Sequence, residues 1–130
     1  MKSSDLKQRT KFFALRVIRV TDSLPRRMSA DVLGRQLLRS ASSVAANYRS
    51  ACRAKSRADF ISKMGTVEEE ADESALWLEL LAESGLMPAP KLGELHREAE
   101  ELTAIAVASI RTARRSAANP KSAVRNPQSR

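Results

Sequence analysis

A chain of 130 residues is long enough for one domain with a modest core and no more. Lys and Arg outnumber Asp and Glu by 23 to 15, which gives a net charge of +8 and a pI near 10.4. That balance permits a polyanionic partner without establishing one. Charges interrupt every apolar stretch before the roughly 18 residues that a membrane span needs, and no apolar segment follows Met1-Lys2-Ser3-Ser4-Asp5 to make a secretory signal. Cys52 is alone and cannot close an internal disulfide, so a cytoplasmic protein without a membrane partner is expected.

With only 4 Gly and 5 Pro in a background of Ala, Leu, Arg and Glu, the vocabulary is helical throughout. The first helix is expected over about Asp5 to Leu24, where Phe13, Val17, Val20 and Leu24 recur on one face until Pro25 stops it. Ser29 is placed to cap the second helix, whose stripe is Leu37, Ala41, Val44 and Tyr48. Ser56-Arg57-Ala58-Asp59 reads as a capping-box variant opening the third helix. There Phe60, Met64, Val67, Ala71, Ser74, Leu78 and Leu81 keep heptad spacing, which suits near-parallel helix packing. Gly85 is a natural left-handed terminator, with Leu86 behind it for the hydrophobic contact and Pro88 and Pro90 enforcing the break. A fourth stripe runs Leu92, Leu95, Ala99, Leu102, Ala106, Ser109, Ala113. Four helices joined by short loops predict an all-α, antiparallel up-down-up-down four-helix bundle over residues 1–115. Residues 116–130 have no periodicity and are expected to form a basic, disordered tail.

The residues that carry chemistry elsewhere do not assemble here. His96 is the only histidine, the four glycines are scattered, and no Glu-x-x-His pair accompanies the acidic run from Glu68 to Glu73. His96 is expected to face solvent beside the fourth stripe, and Cys52 to be a buried small side chain near a helix end. Catalytic residues, metal ligands and cofactors are expected to be absent, and the chain is not expected to be an enzyme.

One polar stripe stands out. Gln36, Ser40, Ser43 and Asn47 lie one residue before the second helix's apolar stripe, with Arg39 beside them. They flank the core, so buried members need hydrogen-bond partners. Pairing the second and third helices as an antiparallel hairpin brings Arg39 level with Glu70, with Glu69, Asp72 and Glu73 as the expected carboxylate partners and Asn47 meeting the Ile61–Gly65 region. This seam reads either as a register-fixing hydrogen-bond network or as a groove for a ligand.

The charge is also segregated, at +10 for residues 1–55, −7 for 56–113 and +5 for 114–130. Either a basic hairpin docks on an acidic one inside the fold, or a basic surface is left for a polyanion.

The run Leu24-Pro25, then Gly34-Arg35-Gln36-Leu37-Leu38-Arg39-Ser40-Ala41-Ser42-Ser43-Val44-Ala45-Ala46-Asn47, resembles the signature of the bundle proteins encoded by intervening sequences of bacterial 23S ribosomal RNA genes. That family reads Leu-Pro and later Leu-x-x-Gln-Leu-x-Arg-Ala-x-x-Ser-Ile-x-x-Asn, with a Phe near the start of the third helix and a Glu-rich middle, as Phe60 and Glu68 to Glu73 are here. The resemblance covers about residues 7–113. It departs after Asn47, where the family's Ile-Ala-Glu-Gly is replaced by Tyr48-Arg49-Ser50-Ala51. It implies a ring, commonly a pentamer, related to accessory proteins of diversity-generating retroelements that bind nucleic acid and a reverse transcriptase. It carries over no catalytic residue.

Two functions follow as expectations. In the first, a non-enzymatic homo-oligomer, a homopentamer on the family pattern, binds RNA or DNA through Lys2, Arg9, Arg16, Arg19, Arg114, Arg115, Lys121 and Arg125. In the second, it is a structural or adaptor oligomer whose partner is another protein. Under either, Trp77 and Leu81, in the nearly all-apolar stretch 75–82, are expected at a subunit contact.

Overall fold

The computed structural model describes residues 3–118, and all of its regular structure is helical. The helices are α1 (Ser3–Asp22), α2 (Met28–Ala51), α3 (Arg57–Glu83) and α4 (Ala89–Ala118). Consecutive helices pack on one another, and α1 closes the bundle against α4 through a much narrower contact. The residues assigned to a tail begin inside α4, which continues to Ala118; the rest of that segment lies outside the described residues.

The stripes become the core. Phe13, Val17, Leu37, Ala41, Val44, Met64, Val67, Ala71, Leu78, Leu92, Leu95, Ala99, Leu102 and Ala106 are all buried, and Tyr48 joins them. Leu6 and Thr10 extend the α1 stripe by two turns towards its start; the Thr10 hydroxyl is satisfied by donating to the Leu6 and Lys7 carbonyls. On α4 the core position is Ile110, and Ser109 is only half-buried. The 3.6-residue period favours a step of four there, which also keeps a hydroxyl out of the apolar interior.

Helix starts follow local chemistry in one case and packing in another. Ser56 caps α3 as expected, accepting from the Asp59 backbone N–H at 3.0 Å. The Lys63 ammonium and then the Lys55 backbone N–H hold the Asp59 carboxyl below its ordinary range. That contribution to the cap is present above the unfolded-state pKa and is lost as pH falls through the folded one. Ser29, by contrast, does not cap α2. The helix begins two residues earlier, with extended Arg27 at the cap position and no side-chain cap bond. Ala30, only 1% exposed, sits one heptad before Leu37, so the helix must already be wound at Met28 to place it in the core.

Between α3 and α4 the chain turns at Gly85, which has φ of 78°. Its N–H bonds the Ala82 carbonyl at 3.1 Å, and the Met87 N–H reaches back to Leu81 at 3.2 Å. The hydrophobic contact expected of Leu86 is shared, with Met87 buried and Leu86 partly so. Gly85→Ala is expected to lower stability by about 1–2 kcal/mol, the cost of a left-handed conformation for a residue with a Cβ. An unchanged urea midpoint would show that the turn can relax.

Gly34 serves another purpose. A Cβ there would lie 3.0 Å from Leu24 Cδ1, so the glycine lets the α1–α2 corner close tightly where the chain returns from Pro25.

Candidate nucleic-acid interface

Charge is distributed by flank. On α1, Arg9 faces α4 and grips Glu98 with two hydrogen bonds, Nε to Oε2 at 3.0 Å and Nη2 to Oε1 at 2.6 Å, with Glu101 at 3.2 Å. The Glu98 hydrogen bond, opposed by desolvation and helped by Glu101, raises the guanidinium pKa further above its already high value. A bidentate, partly buried pair of this kind is among the stronger ionic contacts. Arg16 lies 3.6 Å from Glu94 and stacks over the Phe12 ring at 5.7 Å. Two of the α1 arginines expected to meet phosphate are therefore committed to closing the bundle. Arg19, Arg114 and Arg115 are exposed, whereas Lys2, Lys121 and Arg125 lie outside the described residues.

The wider count decides between internal pairing and a free basic surface. Twelve Lys and Arg lie between residues 3 and 55, and Arg9, Arg16 and Arg39 alone among them form ion pairs with acids of α3 or α4. Most of the positive excess on α1 and α2 is left facing water. The α1–α2 register also brings Lys7, Lys11 and Arg49 around one groove. The Lys7–Lys11 spacing of four was visible, but Arg49 joins them only once the two helices are docked.

The polar seam forms in altered detail. Arg39 meets Glu70 at 3.1 Å and Glu73 at 2.7 Å, and its Nε donates to Gln36. Ser40 and Ser74, both fully buried, share a 2.7 Å bond while Ser74 donates to the Glu70 carbonyl. Glu69 and Asp72, expected as partners of Arg39, are exposed on the other flank of α3, because one residue turns a side chain by about 100° around the helix axis. Asn47 does not reach the Ile61–Gly65 region. Its amide folds back on α2, donating to the Ser43 carbonyl and hydroxyl, each at 2.9 Å. The seam thus joins α2 to α3 through Arg39 and Ser40, while Asn47 and Ser43 bond within α2. The Arg39 side chain is 50% exposed, so Arg39→Ala is expected to cost about 1 kcal/mol or less, the range of solvent-screened pairs, in a thermal melt. A loss above about 3 kcal/mol would mean that the network behaves as a buried one.

The remaining sequence candidates resolve simply. His96 Nε2 lies 2.7 Å from Glu79 Oε2 and ties α4 to α3. Cys52 is a half-buried free thiol beside Tyr48, whose phenol pKa is raised mainly by burial and further by that thiol. Trp77 is partly buried, with its indole N–H enclosed and unpartnered. Leu81 cannot be a subunit contact on this geometry, being fully enclosed in the core. The exposed apolar residues nearby are Leu76 and Leu80 on α3 and Met28 and Val32 on α2.

The fold and its surface define a helical bundle with a basic α1–α2 side and an interior closed by polar and apolar contacts. The sequence matches the family model for the 23S rRNA-intervening sequence protein over residues 2–108. The chain belongs to that family. It is also similar to a crystal structure of a protein of unknown function from the S23 ribosomal protein family of Bacteroides thetaiotaomicron. That similarity is 32% identity, with 80% of this chain and 96% of the other covered and a TM-score of 0.75. No curated protein matches the sequence. No helix among the described residues is long and apolar enough to cross a membrane.

Proposed function

We propose that the protein is a non-enzymatic, cytoplasmic homo-oligomer that binds RNA or DNA through its basic surfaces. The observation that carries this reading is the pairing deficit: the three arginines in cross-helix ion pairs are only a quarter of the twelve cations on residues 3–55. Unpaired cations of this kind release counterions from a phosphate backbone, so binding is expected to be salt-sensitive and only weakly sequence-specific. Aromatic residues are 4% of the chain, and Phe13 and Tyr48 are buried in the core, which leaves little for base stacking. Repetition of the basic surface in a pentameric ring would add avidity.

The test is a gel shift with generic RNA and DNA at low and high salt, beside a light-scattering mass with and without nucleic acid. Binding that is absent at low salt, or unaffected by added salt, would overturn the reading.

A second reading, an adaptor whose partner is another protein, is favoured by one observation. Met28 is 83% exposed and Val32 54% on α2, and Leu76 and Leu80 are exposed on α3, the helix packed against it. Apolar side chains left in water together mark a contact surface. A chain that shifts no nucleic acid yet pulls down a defined protein partner through this surface would support it.

A further inference from the structure

We propose that the groove between α1 and α2, walled by Lys7, Lys11 and Arg49, is the main contact of this protein with the phosphodiester backbone of a nucleic-acid strand. This rests on the nucleic-acid reading above and gives it a location apart from the arginines that the sequence suggested.

The groove has a volume of about 480 Å³. Lys7, Thr10 and Lys11 form its α1 side, and Ser42, Ala45, Ala46 and Arg49 its α2 side. Its lining therefore contains three cations and no carboxylate. The hydroxyls are already committed: Thr10 donates to carbonyls of its own helix, and Ser42 donates to the Leu38 carbonyl at 2.8 Å. The donors that remain for a ligand are the two ammonium groups and the guanidinium.

Their freedom is specific to this flank of α1. Arg9 and Arg16, on the α4 flank, are held by Glu98, Glu101 and Glu94. Lys7, Lys11 and Arg49 make no ion pair or side-chain hydrogen bond among the described residues. Three like charges around one cavity repel, and an anion between them relieves that repulsion. Lys7 and Lys11 are one helical turn apart, about 6 Å along the axis, so they can follow successive positions of an extended anionic chain while Arg49 holds it from the opposite wall.

The floor points to a polynucleotide over an acidic peptide. Ala45 and Ala46 let a backbone approach closely, yet they offer no deep apolar pocket for the anchoring side chain on which peptide recognition depends. No aromatic ring lines the groove, so contact is with phosphate and not with the bases.

The experiment compares the full chain with two triple variants of equal charge loss, K7Q/K11Q/R49Q in the groove and R26Q/R35Q/R53Q on other exposed surface. Binding of a fluorescein-labelled single-stranded RNA is titrated over a range of salt, with circular dichroism confirming that each variant is folded. The groove variant is expected to lose at least about tenfold in affinity near 100 mM salt, and its salt slope to flatten by about 2, the value for three lost phosphate contacts on a single strand. The control should stay within about threefold of the parent, and the charge-conserving K7R/K11R/R49K should retain most of the affinity. Should the groove variant unfold, amide chemical shifts of the parent titrated with the same RNA serve instead, with shifts expected at Ala45 and Ala46. Equal weakening by both triple variants overturns the groove assignment while leaving nucleic-acid binding intact. A parent chain that binds no RNA or DNA at low salt overturns both. A groove variant that binds RNA normally but loses self-association overturns the assignment in favour of a contact between copies.

Discussion

Phe13→Ala is expected to destabilise the protein by about 3–5 kcal/mol, the range for deleting a buried aromatic ring. The Phe13 side chain has no solvent exposure and is the bulkiest of the fully buried residues. It sits midway along α1, the helix least held by packing, which rests on α2 and touches α4 only narrowly. The other core contributions of α1 are Leu6, Thr10 and Val17, so the ring is the largest apolar anchor of that helix. Removing it leaves α1 held by the smaller Leu6 and Val17, by the Arg9 clamp on Glu98 and Glu101 and by the weaker approach of Arg16 to Glu94. Those contacts presuppose a docked helix and cannot replace the lost burial. The loss is a large fraction of the roughly 5–15 kcal/mol by which a domain is stable in total. The denaturant midpoint should fall steeply, and amide exchange over residues 3–22 should rise more than over α3. A change below about 1 kcal/mol would mean that the surrounding side chains collapse into the space.

How much of this was legible beforehand depends on which property of a helix is asked for. Period is written in the sequence, and Leu37, Ala41, Val44 and Tyr48 are buried as their spacing required. Height along an antiparallel pair was legible too, since Arg39 came level with Glu70 and bonds it. Rotational phase beside the core was not. The two flanks of a heptad stripe look alike in sequence, and only docking decides which one faces which neighbour. Glu70 and Ser74 turned out to face α2, while Glu69 and Asp72 point away, and Leu80 is outside where Leu81 is in the core. The same ambiguity hid the groove, because Lys7 and Lys11 share a flank in any helix but acquire Arg49 only from the helix packed beside them. The pairing of Arg9 was hidden for the opposite reason. Its carboxylate partners lie 89 and 92 residues away, beyond any local pattern.

Leu76→Glu with Leu80→Glu is expected to convert the proposed oligomer to a folded monomer. The apolar rim that this variant charges follows from the register of α2 on α3. Arg39 reaches Glu73 across the outer edge of that pair. Moving seven residues up α2 and seven along α3 returns to the same flank, and the residues found there are Val32 and Leu80. Leu76 lies one turn before Leu80 at 45% exposure, and Met28 one turn before Val32 at 83%. Apolar side chains thus continue on both helices where the Arg39 ion pairs end. The enclosed Trp77 N–H, buried without an acceptor, lies on the same stretch of α3. Leu76 and Leu80 are 45% and 39% exposed and lie outside the buried core, so glutamates there should lower the melting temperature of the isolated chain only modestly and leave it folded. Buried against a second copy, the same two carboxylates would be desolvated without partners, at a cost of several kcal/mol for each. Light scattering should therefore show the mass falling to that of one chain, with helicity retained. Persistence of the oligomer in the variant would place the subunit contact on another face of the bundle. A monomeric parent would remove the oligomer from the proposed function.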